Sequence, residues 1–181
     1  PIQHASDKIL KAMGRRTNNA ELRNIISKLR KEIPDICLRT TLITGFPGET
    51  EEDHQILLDF IDEMEFDRLG VFTYSPEEDT KAASLDNQVD EEVKLCRKDE
   101  IMELQQEISM DKSERLVGKE LEVIIEGKAS DEDVYVGRSY MDAPSVDGYV
   151  FINSEEELMS GDFAKVRIVK AMEYDLIGDL I

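Results

Sequence analysis

The sequence predicts an α/β unit followed by an all-β unit, the second a small five-stranded OB-like antiparallel β-barrel. Three observations lead there. A β-rich stretch, Ile36 to Thr44, runs through a turn holding Gly45, Pro47 and Gly48 into a helical run, Glu51 to Met64, and then into a second β-rich stretch, Arg68 to Tyr74. Strand, helix and strand at that spacing make a βαβ unit, with parallel strands joined by a right-handed crossover. A long charged helix follows, opened by Asp90 and running to about Leu116. After Gly118 the apolar period falls to two, with Leu121, Val123 and Ile125 alternating mainly with charged residues (Glu120, Glu122 and Glu126).

The elements follow in order. Pro1 to Arg16 holds a short helix, with Ser6 as N-cap and Ile9, Leu10 and Met13 apolar. Asn18 with Glu21 three positions on is a capping box; Leu22, Ile25, Ile26, Leu29 and Ile33 then recur at helical spacing until Pro34 ends the helix. Thr50 and Asp53 form a second, weaker box before Ile56, Leu57, Phe60, Ile61 and Met64. Ser75 to Gln88, polar and carrying Glu77, Glu78 and Asp79, reads as a loop over the ligand face of the sheet. Val93, Ile101, Leu104 and Ile108 give the long helix a sparse apolar stripe. Tyr135 to Ser139, Gly148 to Ile152, Phe163 to Val169 and Tyr174 to Leu180 supply the remaining barrel strands. The expected domains are 1–116 and 117–181.

Composition narrows the function classes. The chain of 181 residues has 22 Lys+Arg against 41 Asp+Glu, a formal charge of −19. Such a field repels phosphate backbones, so nucleic-acid binding is disfavoured and a basic protein partner is favoured. No apolar run reaches the roughly 20 residues of a membrane span. The only cysteines, Cys37 and Cys96, read as reduced thiols of a cytoplasmic protein, too far apart in sequence to suggest a metal site. The chain opens at Pro1 without a Met, as a fragment would.

The Gly45–Gly48 turn follows a parallel strand, at the end where α/β sheets bind ligands. Its glycines permit close approach of the main chain, although a plain βα connection has the same spacing. Pro1-Ile-Gln-His-Ala-Ser with the later Leu10 and Met13-Gly-Arg-Arg16, Arg39-Thr-Thr through Gly45-Phe-Pro-Gly-Glu-Thr50, and Gly70-Val-Phe-Thr-Tyr-Ser-Pro-Glu-Glu78 together resemble the radical S-adenosylmethionine (SAM) methylthiotransferases. The terminal barrel resembles their TRAM domain. Gly137-Arg-Ser-Tyr-Met-Asp-Ala-Pro-Ser-Val-Asp-Gly148 resembles the branch that methylthiolates an aspartate of ribosomal protein S twelve; the tRNA-modifying, MiaB-like branch is the alternative.

The resemblance implies a partial (β/α) radical SAM barrel, with SAM contacted by Gln3, Arg39, Thr41, Gly45, Phe46, Pro47, Gly48 and Glu49. Arg39 would meet a carboxylate of the ligand or else pair with a nearby acid; Glu49 would reach the ligand or merely sit at a helix N-terminus. No acid–base role falls to His4, and Phe72 and Tyr74 are expected at the core and rim. Arg138, Tyr140, Asp142 and Asp147 would dock the basic substrate protein, although acidic residues that only solvate a surface look the same. The family's [4Fe–4S] clusters belong to the parent enzyme; the C-x-x-x-C-x-x-C motif is absent from this sequence, so this chain alone is not expected to be active. A stand-alone acidic binding module is the further alternative. Asp79 and Lys81 replace the family's Gly and Pro. The first strand, Ile36 to Thr44, is expected to have an open edge.

Overall fold

The computed structural model describes residues 1–129 and 133–181. The chain forms two units, Pro1–Ile108 and Ser109–Ile181, the division falling inside the long helix.

The first unit runs α1 (Asp7–Ala12), α2 (Asn19–Glu32), β1 (Arg39–Thr44), α3 (Glu51–Met64), β2 (Arg68–Thr73), a short 3-10 turn (Ala82–Ser84) and α4 (Glu91–Glu114). Both expected capping boxes close. Asn18 accepts the Glu21 N–H while Glu21 reaches back, and Thr50 does the same with Asp53. Ser6 precedes α1 but does not cap it; its hydroxyl donates instead to Asp53 Oδ1, at 2.6 Å. Asp53 also takes the Lys8 ammonium and the Thr50 N–H, so one carboxylate ties the starts of α1 and α3 together. β1 and β2 are parallel and in register from Arg39↔Arg68 to Thr44↔Thr73, as a right-handed βαβ unit requires.

The outer edge of β1 is partly covered. Gln3 bridges it in parallel on the side away from β2: the Gln3 N–H donates to Thr41 O (3.1 Å) and the Ile43 N–H to Gln3 O (2.8 Å). That single residue covers the middle of the edge expected to be open; the pairing is an isolated bridge, and the sheet itself has two strands. Thr40, Leu42 and Thr44 face inward, Leu42 within a core of Ala5, Leu10, Phe60, Ile61 and Ile101. The alternate residues Arg39, Thr41 and Ile43 share the other, more open face.

The second unit is a closed barrel of β3 (Glu120–Lys128), β4 (Val134–Arg138), β5 (Val150–Asn153), β6 (Phe163–Ala171) and β7 (Leu176–Leu180), in the order β3-β4-β5-β7-β6. Four seams are antiparallel, as expected. The fifth, β5 with β7, is parallel, because β6 crosses over to pair with β3 and leaves β7 to close the barrel beside β5. Val123, Ile125, Val150, Ile152, Val166 and Ile168 fill the interior. Ile152→Ala is expected to cost the barrel about 2–5 kcal/mol, since a fully buried side chain leaves a cavity. Faster amide exchange throughout β3–β7 is the readout; exchange unchanged outside β5 would contradict it.

Candidate functional site

The turn after β1 is built around one carboxylate. Gly45 (φ +73°) and Gly48 (φ +85°) take the left-handed conformation, which folds the chain back so that Glu49 points inward. Glu49 Oε2 accepts the Gly45 N–H (2.7 Å) and the Phe46 N–H (3.2 Å); Oε1 accepts the Thr44 hydroxyl (3.3 Å) and Arg97 Nη1 (3.0 Å). His4 lies on the other side. Its Nδ1 accepts the Ser6 N–H, so Nε2 carries the ring proton and faces Glu49 Oε2 at 3.5 Å. Burial pushes the Glu49 carboxyl up, but His4, Arg97 and the Gly45 amide together outweigh it and hold the group below the ordinary carboxylate range.

This arrangement corrects two expectations. Glu49 does not reach outward to a ligand. Nor are the turn's amides available as donors: those of Gly45 and Phe46 go to Glu49, that of Gly48 to Asn87 O (2.8 Å) and that of Glu49 to Phe46 O (2.9 Å). A buried donor without a partner costs on the order of 1–3 kcal/mol, and the turn leaves none of these four unpaired.

The helix α4 holds the turn from behind. Lys94 Nζ donates to Tyr74 O (3.0 Å) and sits 5.7 Å from the Tyr74 ring centre. The Lys94 stem packs against Gly45 so closely that a Cβ there would overlap it. Arg97 adds a bond to Glu49 O and one to Glu51 Oε2. Sequence reading missed both residues. The signal was present: Lys94 and Arg97 continue the buried stripe of Ile101, Gln105 and Ile108 at spacings of three and four, and a polar residue on such a stripe requires a buried partner. Val93, assigned to that stripe, is instead exposed.

Beside the turn lies a cavity of about 490 Å³. Its wall joins Gln3, Ile43, Phe46 and Tyr74 to residues 12–15 and to Lys81 and Ala82. Phe46 and Tyr74 meet edge to face, with ring centres 5.2 Å apart. The Tyr74 hydroxyl is buried with no hydrogen-bond partner among the described residues, a group that calls for a ligand or an ordered water. Of the sequence-predicted SAM residues, the structure gathers Gln3 and Phe46 on this cavity, with Gly45, Pro47, Gly48 and Glu49 forming the turn behind it. Thr41 lies on the same strand face as Ile43. Arg39 starts β1 at the opposite end from the turn, roughly 16 Å from Thr44 at about 3.3 Å per residue, and is exposed rather than an inward charge. Phe72, expected at the core, is 64% exposed.

In the barrel, Arg138 ends β4 and pairs with Glu126 Oε1 at 2.8 Å. Tyr140 is exposed. Asp142 is buried and accepts the Ser139 hydroxyl (2.8 Å), and Asp147 accepts the Ala143 N–H (2.7 Å). These two carboxylates are engaged in building their own loop, which corrects the expectation that Asp142 faces a partner.

The aromatic cavity and its unpaired hydroxyl suit a nucleoside. The donor set does not suit an iron–sulfur cluster: Cys37 precedes β1, Cys96 is on α4, and the described residues contain no group of three cysteine, histidine or acidic side chains that could hold a metal.

Residues 1–61 match the radical SAM superfamily and residues 117–181 match the TRAM domain. The two matched stretches lie in one chain, on either side of residues 62–116. Along its whole length it is RimO-like. It is 61% identical over 178 residues, 98% of this chain, to "Ribosomal protein uS12 methylthiotransferase RimO" of Lachnoclostridium phytofermentans. It is 51% identical over 181 residues, 100% of the chain, to the protein of that name in Acetivibrio thermocellus, and 53% identical over 182 residues to that of Pelotomaculum thermopropionicum. The chain spans 40% of the length of the first two relatives and 41% of the third. Among the described residues no helix is long and apolar enough to cross a membrane.

Proposed function

We propose that this chain is the carboxy-terminal portion of a cytoplasmic radical SAM methylthiotransferase that modifies an aspartate of ribosomal protein uS12. The observation that supports it is the aromatic-walled cavity at the C-terminal end of β1, joined in one chain to a TRAM barrel. In this reading Ile43, Phe46 and Tyr74 take the nucleoside of SAM, Gln3 offers its amide, and Thr41 lies one strand step further along the same face. The turn residues Gly45, Pro47, Gly48 and Glu49, with Arg97 behind them, fix the wall instead of touching the ligand. SAM held here would supply radical chemistry only alongside a reduced cluster, while Ile43, Phe46 and Tyr74 would hold its nucleoside. The cluster's ligands are not among this chain's residues, so no step of that chemistry is assigned to them.

The domain limits in this reading are 1–116 and 117–181, with the acidic barrel drawing the basic substrate protein. That attraction works through the net field, because Asp142 and Asp147 are already engaged. It should speed association at low salt and fade beyond a Debye length of roughly 8 Å at physiological ionic strength. The same field opposes the tRNA-modifying alternative.

The test is binding without turnover. Methylthioadenosine should bind this chain and shift the Ile43, Phe46 and Tyr74 resonances. Phe46→Ala should weaken it roughly 10-fold, the loss of one stacking or edge contact of about 1–1.5 kcal/mol. After iron–sulfur reconstitution the isolated chain should not cleave SAM. Absence of nucleoside binding would remove the cavity assignment, and turnover by this chain alone would overturn the assignment of the cluster elsewhere.

A further inference from the structure

We propose that Lys81, with Arg15 on the same cavity wall, forms a carboxylate-recognition point at the cavity. The inference rests on the nucleoside reading of the same cavity and goes beyond it. The chain has nearly two acidic residues for every basic one, 41 against 22. Yet the residues lining the cavity include two cations, Arg15 and Lys81, and no carboxylate. The three acids just before Lys81, Glu77, Glu78 and Asp79, lie outside that wall. Arg15 Nη2 donates one bond to Pro1 O at 3.3 Å, which leaves other guanidinium donors on an exposed side chain. Among the described residues no acid pairs with the Lys81 ammonium.

The backbone does not explain why a lysine stands here. Lys81 sits at φ −60°, ψ −36°, a conformation open to nearly any residue, proline included. Asp79, two positions earlier, takes φ +64°, a glycine-like conformation that aspartate tolerates. The path of the loop therefore does not require a lysine at 81, and what Lys81 supplies is its side chain. What it adds is a cation beside an aromatic wall. That combination suits an amphipathic ligand with a flat apolar part and an anionic end a few bonds away. An organic carboxylate is the simplest such end. It can come from the amino-acid tail of a nucleoside-linked amino acid or from the aspartyl side chain of a bound peptide.

Two pairs of probes separate these sources and the underlying reading. The first pair is S-adenosylhomocysteine and methylthioadenosine, which share the nucleoside and thioether and differ in the amino-acid carboxylate. The second is a lysine-flanked peptide with a central aspartate and its asparagine counterpart. The wild-type chain should favour the carboxylate member of one pair by roughly five- to ten-fold, as a charge-assisted contact at a solvent-exposed rim allows. Lys81→Met should flatten that preference to within about two-fold while leaving methylthioadenosine binding unchanged, and Lys81→Arg should restore it. Lys81 is exposed, so neither substitution threatens the fold. Flattening of the first ratio assigns the point to the nucleoside-linked tail, and flattening of the second to the peptide. Preferences unchanged in Lys81→Met overturn the inference even if methylthioadenosine binds. Loss of methylthioadenosine binding in the wild type strikes the nucleoside reading instead.

Discussion

Glu49→Ala is expected to destabilise the first unit by about 3–5 kcal/mol, the cost of breaking a buried ion pair by removing one partner. The Glu49 side chain is fully buried, and its carboxylate accepts bonds from two amides, a hydroxyl and a guanidinium. Its removal leaves Arg97 with the residue-49 main-chain oxygen (3.3 Å) and the exposed Glu51 carboxylate (3.4 Å) but no buried counter-charge, and strands the Gly45 and Phe46 amides. Amide exchange at Gly45 and Phe46 should rise by at least two orders of magnitude. Exchange there equal to that of the wild type would show that the turn holds without its acid. Glu49→Gln should fall between, since an amide oxygen still accepts but carries no charge for Arg97.

The same network fixes a pH dependence. Glu49 lies below an ordinary glutamate despite its burial. Asp53 lies below an ordinary aspartate: burial raises it, but the Lys8 ammonium, the Ser6 hydroxyl and the Thr50 amide outweigh that. A carboxyl depressed in the folded state contributes stability that is complete above its unfolded pKa and lost as pH falls through the folded one. The first unit should therefore be at full stability above about pH 4.5, the ordinary glutamate value, and weaken progressively below it. In Glu49→Gln part of that acid sensitivity should disappear, which unfolding followed from pH 7 to pH 3 would measure.

The parts of this architecture legible in the sequence are those governed by local rules. Asn18 with Glu21, and Thr50 with Asp53, announce helix starts because capping needs a fixed spacing and nothing distant. The alternation from Leu121 to Ile125 announces a strand for the same reason. What escaped depends on partners far along the chain. Glu49 looked as much like a ligand contact as a helix N-terminal acid because Arg97, 48 positions on, and His4, 45 positions back, decide its direction. Asp142 looked like a surface charge until Ser139 and its own loop turned it inward. The parallel β5–β7 seam follows from the crossover of β6, which no period-two pattern encodes. The cavity was foreseen only as a location, at the end of a parallel strand; its aromatic edge and cationic rim come from segments that meet only in the folded unit.

Gly45→Ala carries the other large expected effect, because two penalties coincide there. An alanine at φ +73° costs about 1–2 kcal/mol for the left-handed conformation alone. Its Cβ would also overlap the Lys94 stem, adding on the order of 1–3 kcal/mol of overpacking. The second penalty can be removed separately. Lys94→Ala deletes the stem that Cβ meets, and gives up the bond to Tyr74 O and the contact with the Tyr74 ring. The double variant should therefore be less destabilised than the two single variants added together, with a coupling of about 1–2 kcal/mol, the range measured for residues in contact. The φ penalty should survive in both backgrounds. Methylthioadenosine binding gives an independent reading of the same cycle. If α4 holds the cavity wall through Lys94, Gly45→Ala should weaken the nucleoside by displacing Phe46 and Tyr74, and Lys94→Ala should recover part of that loss. Strict additivity in both stability and binding would mean that the helix and the turn are neighbours without being coupled, and that the wall of the cavity is set by β1 alone.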